Sequence, residues 1–139
     1  MKRVQIFVSM AIVILCVGII GYVFLCPEED YARYTAPPTS VRFEKDSLNL
    51  GTVAYDSEHK VVYRFTNTGT TPLLIHDVRP SCGCISVEWS KRPVVPGGMG
   101  EIKAIFKSNS LGIFLKTIDV LCNIPESSVK LKLKGNVKE

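Results

Sequence analysis

The stretch that decides the fold is VKLKLKG, Val129 to Gly135, in which Val129, Leu131 and Leu133 alternate strictly with Lys130, Lys132 and Lys134. A period of two sends successive side chains to opposite sides of an extended chain, so one side is apolar and the other charged. That is the pattern of a half-buried β-strand. The same grammar recurs upstream. IFLKTIDVLCN carries Phe114, Ile118, Val120 and Cys122 in phase, EIKAIF carries Ile102, Ala104 and Phe106, and KVVYRFTN carries Val61, Tyr63 and Phe65. ISVEW places Ile85, Val87 and Trp89 on one side, and LNLGTV and LLIHDV supply two further short candidates. From Val41 onward no window sustains helical spacing.

Turn residues punctuate these runs. In NTGTTP, Asn67 opens a turn, Gly69 can take positive φ and Pro72 blocks early ladder pairing. In KRPVVPGGMG, Pro96-Gly97 suits the centre of a type II turn. Asn67, Gly69, Trp89, Pro96 and Gly97 are therefore structural candidates. About seven to eight short strands within residues 41–139 predict an all-β domain, an immunoglobulin-like β-sandwich, with a small barrel as the alternative.

The N-terminal part obeys another rule. Val4 to Leu25 is an almost unbroken apolar run, interrupted by Gln5 and Ser9, and long enough as a helix to cross a hydrocarbon core of about 30 Å. Lys2 and Arg3 precede it, while Glu28, Glu29 and Asp30 follow. By the positive-inside rule the N-terminus stays in the cytoplasm and the remainder is exported. A cleaved signal would end in small residues, and Val23-Phe24-Leu25 is bulky. Lipidation at Cys16 or Cys26 would also require small residues before the cysteine. The expected organisation is a single anchor over 1–26, a flexible linker over 27–40 and the sandwich over 41–139. The expected setting is the inner membrane with the domain in the periplasm, a secreted or lipid-anchored form being the alternative.

Of the 17 basic residues, all but Lys2 and Arg3 fall in the exported part, leaving 15 against 13 acidic ones. This near balance, without a basic stripe, speaks against nucleic acid as a partner. No Gly-Lys-Ser/Thr follows PGGMGE, so it is not a phosphate loop. No serine or cysteine sits with a histidine and a carboxylate in a recognisable local signature. No cofactor and no small-molecule substrate is expected.

The remaining chemistry is in RPSCGCISVEW. On a continuous strand Cys82 and Cys84 would share one side, opposite Ile85, Val87 and Trp89, and look outward. Direct bridging is awkward on an extended chain, because Cα atoms two apart lie near the limit of about 7 Å. Gly83 could relieve this by bending into a conformation closed to other residues. Four roles compete: a bend with packing thiols, a redox pair, a soft-metal site that could recruit His76, and a bridge to another protein. Cys122, in phase with Ile118 and Val120, is expected to be a small buried hydrophobe. His76, between apolar neighbours, is expected to be a hydrogen-bonded sheet residue, and His59 in DSEHK a solvated one.

LNLGTV, the run from YRFTNTG through EIKAIF, and the closing LKLKGNV resemble a family of bacterial envelope proteins known as domain-of-unknown-function family 1573. Asn67-Thr68-Gly69, Cys82-Gly83-Cys84 and Pro96-Gly97 carry the likeness in that order. The resemblance implies an immunoglobulin-like sandwich akin to Hydin-type and sperm-protein-like domains, an envelope setting and a CGC motif, and it implies no activity. Cys122 is an addition to that pattern. The expected function is non-enzymatic: a membrane-tethered module that contacts an envelope protein through an exposed edge or through the surface bearing Cys82 and Cys84. Thiol redox or copper or zinc binding at those cysteines is the alternative.

Overall fold

The computed structural model describes residues 2–25 and 36–139, with side chains in the N-terminal helix described from Gln5 to Ile20. The chain divides into two units, 1–34 and 35–139. The first holds helix α1, Lys2–Leu25. Its described side chains are exposed all round, Ile6, Phe7, Ile14 and Leu15 among them, so apolar groups lie on every side of the helix. Among the described residues no helix is long and apolar enough to cross a membrane. The transmembrane helix expected within 1–26 is thus not found among them.

The second unit is built of β1 (Val41–Phe43), β2 (Ser47–Ala54), β3 (Glu58–Asn67), β4 (Ile75–Pro80), β5 (Ile85–Trp89), β6 (Met99–Lys107), β7 (Gly112–Cys122) and β8 (Ser128–Lys138). They form two four-stranded sheets, ordered β1-β3-β6-β5 and β2-β8-β7-β4. All pairings are antiparallel except β2 with β8, where Ser47 lies opposite Lys132. The architecture is a β-sandwich.

The core is the set of in-phase residues. Tyr63, Phe65, Ile102, Ala104 and Phe106 from the first sheet meet Ile118, Val120, Leu131 and Leu133 from the second, all at most 3% exposed. Burying each large aliphatic or aromatic side chain contributes about 1.5–3 kcal/mol, enough for the period-two pattern to set which side of each strand turns inward. A polar tie crosses the sandwich where the Tyr63 hydroxyl donates to the Lys132 carbonyl at 2.8 Å. Phe106 and Phe114 stack with centroids 4.5 Å apart, and the Phe114 ring occupies the space where a side chain at Gly135 would go.

β8 is an interior strand, flanked by β2 and β7. Its lysines therefore line the outer surface of a sheet. Lys130 reaches Asp119 on the neighbouring strand at 3.6 Å. Of the expected linker 27–40, residues 27–35 lie outside the described residues. Pro37 to Ser40 are hydrogen-bonded to the sandwich: Thr39 is 5% exposed and its N–H donates to the Asn123 carbonyl, while Asn123 Nδ2 donates to the Pro37 carbonyl.

Candidate functional site

β4 and β7 have unequal lengths, and the candidate site follows from that mismatch. β4 covers β7 only from Ile118 to Cys122. One residue further, the Ser81 N–H donates to the Thr117 carbonyl at 2.8 Å, and the Thr117 N–H donates to Ser81 Oγ at 3.1 Å. The chain then leaves this sheet and crosses to β5 in the other. Among the described residues no strand pairs with Gly112 to Lys116 on that side.

Because Thr117 directs both backbone groups toward β4, period two directs those of Leu115 and Ile113 the same way. Among the described residues these groups have no strand partner and form an open ladder. Their side chains, on the outer surface of the sheet, are 63% and 90% exposed, and Leu111 just before them is 56% exposed. On β8, the outer-face lysines Lys132 and Lys134 stand opposite Thr117 and Leu115.

Cys82-Gly83-Cys84 lies where the chain crosses over, immediately beside this open edge. The three residues form a turn before β5 and are not part of a strand, so the expectation that both sulfurs look outward from a continuous strand is corrected. Cys82 and Cys84 are joined in a disulfide with Cα atoms 5.2 Å apart. Both are half-buried and pack against the core cluster, while Gly83 is exposed. Gly83 is not in the positive-φ region, and beyond its two flanking cysteines a Cβ built on it would meet nothing within 4 Å. The turn itself brings the sulfurs together, without the special glycine conformation that the sequence suggested. Backbone bonds hold both ends of it: Ser81 on Thr117, Ile85 N–H on the Cys82 carbonyl at 3.4 Å, and Lys107 N–H on the Cys84 carbonyl at 2.9 Å.

The other candidates lie elsewhere. Cys122 is 3% exposed, and burial, helped by the Glu126 charge, pushes its thiol up to about 11. His76 is a half-buried residue of β4. Among the described residues no group of three His, Cys, Asp or Glu is placed to hold a metal ion, and the two thiols proposed as soft ligands are spent on each other. His59 belongs to β3 and is not a freely solvated turn residue: its Nε2 lies 2.7 Å from Ser57 Oγ. That hydroxyl is also 3.0 Å from the buried Ser108 Oγ, so the Ser-His contact belongs to a network closing the β2–β3 turn.

Asn67 and its neighbours form a structural hub. Asn67 is fully buried, and its Nδ2 donates to the Thr71 and Val94 carbonyls at 2.8 and 2.9 Å. Its Oδ1 accepts from Thr39 Oγ1 and from the Gly69 N–H. A side chain at Gly69 would collide with Thr39. Gly97, with φ of 74°, sits in the turn closed by Gly98 N–H to the Val95 carbonyl and donates its own N–H to Asn67. Trp89 is half-buried, with Lys91 Nζ 3.5 Å above its ring centre.

The open β7 edge escaped the sequence reading, although a signal was present. Ile113 and Leu115 fall out of phase with Phe114, Ile118 and Val120, which places aliphatics on a solvent side.

The family model for the protein of unknown function DUF1573 matches residues 41–137, all eight strands to within a residue. The chain belongs to the DUF1573 family. No curated protein matches this DUF1573 member. Among solved structures it is similar to a protein of unknown function from Porphyromonas gingivalis W83, with TM-score 0.63 and 17% identity over 73% of this chain and 48% of that one. The chain thus spans about half the length of the Porphyromonas protein. It is also similar to the ASH/PapD-like domain 7 of human CEP192, with TM-score 0.60 and 16% identity over 76% of this chain and 90% of that one. A third likeness is to the Vibrio cholerae VesB protease, with TM-score 0.58 and 12% identity over 81% of this chain and 35% of that one. At these identities the likenesses establish the sandwich fold of this DUF1573 member and nothing of its chemistry.

Proposed function

We propose that this DUF1573 protein is a non-enzymatic contact module of the bacterial cell envelope, tethered to the inner membrane and acting by strand addition at the open half of β7. The carrying observation is the backbone of Ile113 and Leu115, without a strand partner on the β4 side among the described residues and flanked by exposed aliphatic side chains. An extended segment laid along such an edge gains main-chain hydrogen bonds and packs alternate side chains against the sheet. The tether is supported by the uncharged run from Val4 to Leu25 behind Lys2 and Arg3, which orients the sandwich toward the periplasm. The sandwich is read as immunoglobulin-like, and Cys82-Gly83-Cys84 as a motif shared within the family.

The test is photocrosslinking in the native membrane from a photoreactive residue at position 113. The expected result is a discrete protein adduct that disappears when Leu115→Pro is added, because proline removes the outward N–H on which strand addition depends. Bare monomer under every condition, or an adduct indifferent to Leu115→Pro, would overturn the proposal.

A further inference from the structure

We propose that the Cys82–Cys84 disulfide is a thiol–disulfide exchange site whose substrate is a protein dithiol. The contact reading above enters only in how such a partner arrives; the chemistry stands on the turn itself.

Four observations support it. First, the bridge closes a loop of only three residues, and chain-entropy stabilisation grows with loop length, so a bridge this short is poorly suited to holding a fold together. Second, the turn does not need the bridge to keep its place. Ser81 is doubly bonded to Thr117, and the Cys84 carbonyl is held by Lys107 of β6, so each sulfur stays near the other when the bond between them opens. Third, beyond the two cysteines that flank it nothing lies within 4 Å of where a Cβ at Gly83 would stand, and neither backbone conformation nor packing against other residues demands a glycine. Gly83 is exposed and stands between the two half-buried cysteines, so the turn carries no side chain of its own between them. Fourth, Cys122 is sealed in the core, with its thiol held neutral by burial, so it does not compete as an attacking group.

The electron count closes with the partner as reductant. A partner thiolate attacks one sulfur of the pair, the Cys82–Cys84 bond breaks as a mixed disulfide forms, and the other cysteine leaves as a thiolate that takes up a proton. The partner's second thiol loses its proton and displaces the mixed disulfide. Two electrons and two protons pass to the pair, which ends as two thiols, and the partner ends as a disulfide. Run in reverse with a disulfide as the oxidant, the pair gives up two electrons and two protons, that disulfide is reduced to two thiols, and the Cys82–Cys84 bridge is restored. The open edge at Ile113 and Leu115 begins two residues from Thr117, to which the turn is tied, so a segment docked there would present its own cysteines beside the bridge.

The experiment uses the full chain in detergent micelles, with dithiothreitol and a synthetic Cys-Gly-Pro-Cys peptide as the probes. Alkylation at positions 82, 84 and 122 is read by peptide mass, and the fold by far-ultraviolet circular dichroism. Both probes are expected to open the bridge, and oxidised glutathione to restore it, with the β spectrum unchanged and Cys122 unlabelled throughout. In Cys84→Ser or Cys82→Ser the lone thiolate should be captured as a mixed disulfide by a Cys-Gly-Pro-Ser peptide whose cysteine is disulfide-bonded to glutathione, the glutathione leaving as the thiol. Gly83→Val should leave the thermal midpoint in place and slow the peptide's reaction about tenfold, since access to the sulfurs is one determinant of exchange rate. Loss of the β spectrum on reduction, labelling of Cys122 in step with the pair, or an unchanged rate in Gly83→Val would overturn the proposal. Leu115→Pro does not alter reaction with dithiothreitol, so a failed contact reading and a failed exchange reading give different results.

Discussion

Asn67 shows how much one polar side chain can organise. It joins Thr39, Thr71, Val94 and the Gly69 and Gly97 amides, which come from three separate parts of the sequence. Asn67→Ala would strand several buried donors and acceptors at once, and it is expected to cost about 3 kcal/mol in urea unfolding. Tyr63 and Cys122 make the stability pH-dependent. Burial raises the Tyr63 phenol from its ordinary 10.0 to about 12 and the Cys122 thiol from 9.0 to about 11. Between those limits the unfolded chain releases protons that the folded chain retains, so their contributions are whole below pH 9 and are lost as pH rises through 11 and 12. Urea midpoints should fall between pH 8 and pH 11, and fall less in the Tyr63→Phe, Cys122→Ala double variant. That variant starts lower at pH 8, because the hydrogen bond to Lys132 is worth about 1 kcal/mol.

At the scale of the element, β7 has two halves with different neighbours. Ile118 to Cys122 lies between β8 and β4, whereas among the described residues Gly112 to Lys116 pairs with β8 alone. Proline at 115 removes an N–H that points to solvent, while proline at 116 removes one that points into the β8 ladder. Leu115→Pro is therefore expected to keep its thermal midpoint within a few degrees of the parent. Lys116→Pro is expected to lose about 3 kcal/mol or more, and a thermal melt of the two variants separates these outcomes. The edge residue Pro80 obeys the same geometry. It sits between Arg79 and Ser81, whose backbone groups face β7, so its missing donor falls on the solvent side of β4.

At the scale of the whole molecule, the pairings are mostly non-local. The parallel contact of Ser47 with Lys132 and the antiparallel contact of Val41 with Asn67 each close long loops before any gain is realised. Folding in milliseconds to seconds is expected, read by stopped-flow fluorescence of Trp89. Microsecond folding would contradict it. The exposed ion pairs, such as Arg79 with Asp77 at 2.7 Å, contribute little to this balance.

How much of this was legible follows the range of the interactions involved. Tyr63, Ile102, Ile118, Leu131 and their in-phase neighbours were readable as core, because burial and alternation act within a few residues of sequence. β1 was not, since three residues, Val41 and Phe43 half-buried around an exposed Arg42, carry too short a pattern. The lysines of β8 look the same from sequence on an edge or on the face of an interior strand, and only the placement of β2 beside Leu133 and Lys134 distinguishes the two. Cys82 and Cys84 were legible as a pair but not as a bridged turn, because the crossing between sheets is set by where β4 stops on β7.

The amino-acid sequence by itself determined the all-β class, the inward side of each main strand, the principal turns and the apolar N-terminal run, since each is a property of neighbouring residues. Which strands border one another, where an edge is left open and what stands beside the paired cysteines were decided only in the tertiary structure. Those features depend on contacts between segments far apart in the chain, and their alternatives share the same local pattern.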